Sequence, residues 1–519
     1  MKKHWIKISI VLLSVSGALL LATQFWAEHS VASFLERKLP KHIYLAYSDI
    51  SVNLFSGSIT LSDVDCRIKN RENDITYAKI GMPSLQLKQL SYPSFFYRNA
   101  IRLEKLHFNE PQISYNPYAK TTRNKEKSPA IVQLRKTIDI DQIVVHRATF
   151  TMLQENGDSL LMHSKGIDFS ITGVRTGPKQ IRNPLPVVFH SYEMAAESLF
   201  LRLNKTENLT LGRMEIKNRT LRIDTLRLNT KYSKKALSKL LTQERDHIGL
   251  NINKLTVSAI DFGFVRNDFY LHTGDVELTA PHLYLYRDKK VADNNRIKKM
   301  YSALIDDVPI IFRCGAVRWK QGYVQYEEQL PGKKAPGRLF FNAIEGGITG
   351  LNNNTVPTDS IVLTTKGALM GSAPTTFSTT FYKNDDKGTF KAKGSIVSLA
   401  AARIDLFLRP NLNAKASGSI QNMYFTFGGD RYVSRGTMKM KYTDFKFALL
   451  RENGREVNKV LTSLLSIFID KESKGDGEGY RYGTISAERD ATKSFFNYVW
   501  NSIKSGILSV LTGNGKKEK

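Results

Sequence analysis

The chain has 519 residues, 41% of them hydrophobic, and 76 Lys plus Arg against 48 Asp plus Glu give it a formal charge of +28. That length holds a large core or several domains, and that hydrophobic content excludes both a disordered tail and a polytopic membrane protein. The positive balance points to an anionic partner, or to basic residues that only decorate solvent faces, since they are spread along the chain.

The chain opens "MKKHWIKISIVLLSVSGALLLATQFWAEHS", with no charged residue from Ile8 to Trp26. At about 1.5 Å per residue this run approaches the ~30 Å of a bilayer core. Ile8, Val11, Leu12, Leu13, Leu19, Leu20 and Leu21 supply its apolar surface, and Phe25 and Trp26 fall where interfacial aromatics sit. Lys2, Lys3 and Lys7 precede the run and Glu28 follows it, so the positive-inside rule puts the N-terminus in the cytoplasm and the bulk across the membrane. A cleaved signal peptide is the alternative; the length of the run and the lack of a clear A-x-A site speak against it. A body beyond the membrane does not meet nucleic acid, and no recognition helix, zinc-finger spacing or RNP-like motif is present. No nucleic-acid partner is expected, and lipid head groups or acidic glycolipids become the better anionic partners.

Residues 28–40 predict a short juxtamembrane helix, with Val31, Phe34, Leu35 and Leu39 at helical spacing and Pro40 ending it. From residue 41 the period shifts to two. Val52 and Leu54 lead to a Ser56-Gly57 turn, then Ile59, Leu61 and Val64. "AIRLEKLHFNEPQISYNPY", with its break at Glu110-Pro111, repeats the scheme, as do "IDIDQIVVHRATFTMLQENGD", "LNINKLTVSAIDFGFVRND", "DVELTAPHLYLYRD" and "IIFRCGAVRWKQGYVQYEE". Each reads as an alternating strand, a short break and another alternating strand. The clearest case is "GTMKMKYTDFKFALL": Met438, Met440 and Tyr442 share one face, resumed after Asp444 by Phe445 and Phe447, while Lys439, Lys441 and Lys446 share the other.

Crossover helices, which a parallel sheet would need, are not apparent, so stacked antiparallel hairpins are predicted. About 25 strands at ~4.8 Å spacing would extend ~120 Å, and such a sheet must twist and coil into a trough. A closed sandwich with an ordinary basic exterior is the competing architecture. Helical spacing interrupts the strands at "SKKALSKLLTQERD", more weakly at "VADNNRIKKMYSALIDDVP", and again from Glu456 to Ile469. "NPYAKTTRNKEKSP" reads as an exposed loop. The closing helix carries Phe495, Phe496, Val499, Trp500, Ile503 and Ile507, followed by Lys516, Lys517 and Lys519. It either contacts membrane or caps the open end of the sheet.

No catalytic constellation emerges. The ten histidines form no H-E-x-x-H or H-x-H pattern, "LFSGS" is not a G-x-S-x-G elbow, and the acidic loop "DKESKGDGEGY" lacks EF-hand spacing. Cys66 and Cys314 belong to no metal or redox motif. No catalytic residue, metal or cofactor is expected.

The order of basic tip, anchor, short helix and "SDISVNLFSGSITLSDVDCRI" resembles the start of the AsmA-like proteins of the Gram-negative envelope, relatives of TamB and YhdP. "ASGSIQNMYFTFGGDRYVSRGTMKMKYTDFKFALL" is similar to that family's C-terminal strands, and "RDATKSFFNYVWNSIKSGI" to the ending of Bacteroidetes-type members. The motifs are degenerate, and the resemblance lies in layout. It implies an inner-membrane, single-pass protein with a periplasmic bulk that conducts phospholipid or another envelope lipid toward the outer membrane. The expected fold is mostly β: a transmembrane helix, then a long, curled, largely antiparallel sheet forming a hydrophobic groove, with a few amphipathic helices and a C-terminal helix. The expected divisions are 1–27 (tip and anchor), 28–40 (juxtamembrane helix), 41–450 (groove body) and 451–519 (C-terminal helices, loop and tail). Val52, Leu54, Ile59, Leu61, Met438, Met440, Tyr442, Phe445 and Phe447 would line the groove. The inner membrane is one expected partner, with outer-membrane or periplasmic proteins as further candidates. A non-enzymatic envelope scaffold is the second reading, and an enzyme acting on an acidic polymer the third.

Overall fold

The period-two pattern is realised as strands almost throughout, and the fold is mostly β. The computed structural model describes residues 23–513 apart from 34, 36–38, 41, 71–72, 99, 120–135, 155–158, 354–359, 384 and 451–475. The chain divides into two units, one of residues 1–203 with 209–218 and one of 204–208 with 219–519.

The first unit begins, among the described residues, with helix α1 (residues 23–33), continuous across the expected boundary at residue 27. Strands β1 (Ile43–Ala46) and β2 (Asp49–Asn53) both lie antiparallel to β3 (Ser58–Lys69). Gln24 donates to the Val52 carbonyl, and the Val52 amide donates to Glu28 Oε1 at 3.3 Å. Two helix side chains thereby occupy backbone groups of β2 that do not face β3, a common way to blunt a strand edge. β3 pairs antiparallel with β4 (Thr76–Lys88). A short helix α2 (Tyr92–Tyr97) leads to β5 (Ala100–Asn109) and β6 (Gln112–Tyr115), both antiparallel to β4.

Here the structure corrects the sequence reading. Glu110-Pro111 is not a hairpin turn. β5 and β6 continue in one direction, and both run parallel to β7 (Thr137–Leu153). The intervening residues 116–136 are enough chain for a parallel return. Glu110 takes φ +46° at the break, opposite Arg147 of β7 at φ +49°. The Glu110 amide donates to the His146 carbonyl at 2.8 Å, and the Thr149 amide to the Pro111 carbonyl at 2.9 Å. The ladder therefore survives the bend. β7 pairs antiparallel with β8 (Leu160–Thr176), and β8 with β9 (Ser191–Ala196) and β10 (Ser198–Arg202). β11 (Glu207–Leu211) precedes β12 (Met214–Lys217), which pairs with β9.

The second unit uses the same device. β13 (Thr220–Thr230) and helix α3 (Lys234–Leu240) precede β14 (His247–Val257). β15 (Asp261–Val265) forms a hairpin with β16 (Asp268–Thr279). β14 pairs antiparallel with β13, with β16 and with β17 (His282–Asp288). β16 and β17 meet at Ala280-Pro281, and both run parallel to β18 (Ile311–Gln329). The return, residues 289–310, contains helix α4 (Tyr301–Asp306). Ala280 (φ +48°) and Gln321 (φ +57°) mark the bend, with the Ala280 amide donating to Lys320 and the Tyr323 amide to Pro281, both at 2.9 Å. From β18 each strand is antiparallel to the next: β19 (Gly337–Asn352), β20 (Ser360–Leu369), β21 (Ala373–Tyr382), β22 (Phe390–Ala400), β23 (Ala414–Gly429), β24 (Val433–Leu449) and β25 (Arg481–Glu488). Helix α5 (Asp405–Leu412) sits between β22 and β23 in sequence.

The sheet does not stop at residue 450, because β25 returns and pairs with β24. Helix α6 (Phe495–Thr512) then packs on β24 and β25, its N-terminus capped by Ser494 and its C-terminus by Gly513 at φ +73°. The helix expected at 456–469 lies outside the described residues, as do residues 120–129 of the expected loop at 116–129, whose start Pro117–Ala119 forms a 3-10 turn.

Candidate functional site: an apolar row across the strands

Residues directly opposite each other on paired strands share a face. In the second unit, Ile223 faces Leu255, Leu255 faces Leu278, and Leu278 faces Trp319. The row continues through Gly346, Thr365 and Phe377 to Gly394, Phe425 and Met438. Its neighbour on the other face is polar: Asp224, Lys254, Thr279 and Lys320 in β13 to β18, and Glu345, Lys366, Thr376 and Ser395 in β19 to β22. Two glycines keep the apolar row low. A Cβ at Gly394 would stand 2.5 Å from Phe425 Cζ, and one at Gly346 would stand 2.9 Å from Trp319 Cζ2. The rings lie across the glycine backbone, a known rescue of glycine within a sheet.

Exposure varies along this row. Ile223 is buried at 5% exposure, while Leu255, Leu278 and Trp319 after it are half-buried. Phe425 and Met438 are buried in the main core, with Met438 1% exposed. The difference is α6, whose Gly506 and Val510 lie against Met438 and Gly483.

The expected lining residues therefore occupy a covered position in this unit. Met438, Met440, Tyr442 and Phe445 are buried in the core beneath the helices, and Phe447 packs against that core. They form a filled interior, not an open trough. The basic face opposite behaves as expected of a solvent face, with Lys439 stacked over the Tyr424 and Tyr480 rings and the Lys441 Nζ donating to the Glu478 carbonyl at 3.0 Å. In the closing helix, Phe495 and Val499 are buried, and Ile503 and Ile507 pack against the same core. Phe496 and Trp500 point outward, 61% and 38% exposed.

The first unit carries its own row: Leu61, Leu85, Phe108, Val145, Phe169 and Met194. Beside it on the other face run Thr60, Gln86, His107, Val144, Ser170 and Glu193. Partial burial and the neighbouring Lys105 and Lys88 hold the His107 imidazole below its usual pKa. Of the expected lining residues, Leu61 is buried at the head of the row and Ile59 sits half-buried on the same strand. Val52 is buried next to α1, and Leu54 is half-buried, its carbonyl accepting from the Tyr92 hydroxyl at 2.9 Å. Leu35 packs against Leu61, Val64 and Met82. Ile8, Val11, Leu12, Leu13, Leu19, Leu20 and Leu21 lie outside the described residues. Phe25 and Trp26, at the start of α1, are 74% and 69% exposed. Among the described residues, no helix is long and apolar enough to cross a membrane.

Sequence reasoning missed Leu255, Leu278 and Trp319 as a row. Each stands in an alternating segment, but register between strands is needed to line them up, and register is not written in any one strand.

The end of β17 and the residues after it are charged. Arg287 makes a two-pronged bond to Asp246, at 2.7 and 2.8 Å. Glu244, 3% exposed, accepts from Lys289 at 2.7 Å and from Lys493 at 3.1 Å. Asp293 pairs with Lys493 at 2.9 Å. A carboxylate so enclosed is tolerable only when paired in this way. Burial opposes the charge on Arg287 and Lys493, yet the carboxylates outweigh it and both pKa values are raised. Burial and a 2.6 Å bond to Glu328 push the neighbouring Tyr326 hydroxyl well above its ordinary pKa. Lys493 lies one residue before the Ser494 cap, so this cluster tethers the chain just ahead of α6.

An open groove of about 900 Å³ runs over seven strands, lined by Leu278, Trp319, Phe377 and Phe425 of the apolar row together with polar residues such as Arg318, Lys366 and Lys393. Arg318 pairs with Asp275, and Lys366 with Glu345. No group of three or more His, Cys, Asp or Glu among the described residues is placed to hold a metal ion. Compared with protein-family models and with curated proteins, the chain matches none.

Proposed function

We propose that the protein is a non-enzymatic lipid-handling protein of the bacterial envelope, anchored in the inner membrane with its bulk in the periplasm, as the resemblance to AsmA-like proteins implies. The observation that carries this reading is the half-buried row of Leu255, Leu278 and Trp319, backed by the polar row of Lys254, Thr279 and Lys320. A sheet that is apolar on one face and polar on the other normally buries the apolar face against a second layer. An acyl chain laid across these strands would supply that layer. Each CH₂ removed from water contributes about 0.8 kcal/mol, so a two-chain lipid has a strong reason to stay. Phospholipid or another envelope lipid is the proposed cargo.

The test is photo-crosslinking in the full-length protein in its native membrane. Benzoylphenylalanine at Leu278 is expected to yield a lipid adduct by mass spectrometry, and at Thr279, one residue on and facing the other way, none. No adduct at either position in a folded protein would remove the reading. It would then favour a scaffold, a role that the filled core around Met438 and Met440 also suits.

A further inference from the structure

Helix α6 is apolar on two sides. Its inner side, with Phe495, Tyr498, Val499, Val510 and Leu511, is spent in the core. That burial leaves a second stripe at four-residue spacing, Phe496, Trp500, Lys504 and Leu508, all of them exposed. Three of the four are large and apolar, and Leu508 is 55% exposed. Aromatic neighbours widen the stripe: Phe407 of α5 contacts Trp500 with ring centroids 6.0 Å apart, and Tyr301 of α4 contacts Phe496 at 6.2 Å.

A helix whose only task is to cover a core has a polar outer side. The outer side here combines Phe, Trp and Leu with lysine. From Ala491 to Lys517 the sequence contains no acidic residue, and Lys516, Lys517 and Lys519 follow the helix. In α5, exposed Arg409 pairs with Asp405 at 3.0 Å. Apolar side chains with an indole, and a helix that carries lysine and no acidic residue, match the interface of an anionic bilayer, where aromatic rings sit at head-group level and lysines meet lipid phosphates. We propose that the outer stripe of α6 docks peripherally on an anionic membrane surface, with Phe496, Trp500 and Leu508 entering the head-group region and Lys504 beside them. This surface is distinct from the apolar row of β13 to β18 and does not depend on what that row carries.

The test uses the full chain with Cys66→Ala and Cys314→Ala, Leu508→Cys labelled with the environment-sensitive dye NBD, and reconstitution into vesicles of phosphatidylethanolamine and phosphatidylglycerol. Docking predicts blue-shifted emission, quenched when brominated acyl chains are included, and loss of both on Phe496→Ser with Trp500→Ser. Water-like emission without quenching overturns the proposal. Blue-shifted emission that brominated lipid does not quench also overturns it, in favour of a protein contact. Should Leu508→Cys fail to fold, the label moves to Lys504→Cys with the same expectations.

Discussion

Gly506 of α6 lies directly over Met438 of β24: a Cβ added to the glycine would stand 2.9 Å from the methionine Cε and 2.8 Å from Ile485 Cγ1. The helix reaches the sheet this closely only because that position has no side chain. Gly506→Ala should therefore lift α6 and destabilise the second unit by about 1–3 kcal/mol, the usual cost of overpacking, although alanine is the better helix former. A lower urea midpoint checks this. An unchanged midpoint would mean that the Met438 side chain swings clear.

Two aspartate substitutions separate core from open face. Met440→Asp puts a carboxylate at a position of 0% exposure and is expected to cost about 4 kcal/mol or more, enough to unfold the unit. Leu255→Asp stands on the half-buried row, where water reaches the carboxylate, so the fold should persist while the lipid adduct at Leu278 is lost. Circular dichroism and the crosslinking assay, run on both variants, distinguish the outcomes.

The ionic cluster before α6 predicts an acid sensitivity. A hydrogen bond from Lys493, with the nearby charge of Lys289, lowers the Asp293 pKa to about 2 from the ordinary 3.8. A depressed carboxylate pKa stabilises the fold above its unfolded value and loses that contribution as pH falls through the folded one. Stability should thus decline between about pH 4 and pH 2, and Asp293→Asn should flatten that part of the profile. The side chain is largely exposed, so the change will be modest. Glu244→Gln should act differently: three cations lose their central partner, and destabilisation of about 3–5 kcal/mol is expected at neutral pH.

The bend in β18 tests backbone strain. Gln321 holds φ +57° and is exposed. Gln321→Gly should be neutral or stabilising by up to about 1 kcal/mol, because relief of the left-handed conformation outweighs the added chain entropy. Gln321→Val, β-branched, should destabilise. Opposite signs in thermal melts are the expected result.

The strands were legible in the sequence because one face of each is apolar. The missed beat at Asp444, where the alternation of "KYTDFKF" slips by one, marks a real bend: Asp444 has φ +50° and its neighbour across the ladder, Gly418, φ +84°. Direction was not legible. A strand, a proline and another strand look like a hairpin, and only the ladder bonds at Pro111 and Pro281 reveal that the chain runs on. The apolar spacing of α6 was legible too, but a helix apolar on two sides does not announce which of them is covered. That choice is made by Gly506, and hence by shape. For the same reason the greasy face of Met438 to Phe447 could be read from the sequence, while its lid could not.

The paired bends at Pro111 with Arg147 and at Pro281 with Gln321 have a consequence for how faults spread. Each pairs an in-line strand couple with one long parallel strand, and each takes its ladder bonds from the strands on either side. The two bends lie in different units. Damage at one is therefore expected to stay local, leaving the ladder at the other intact.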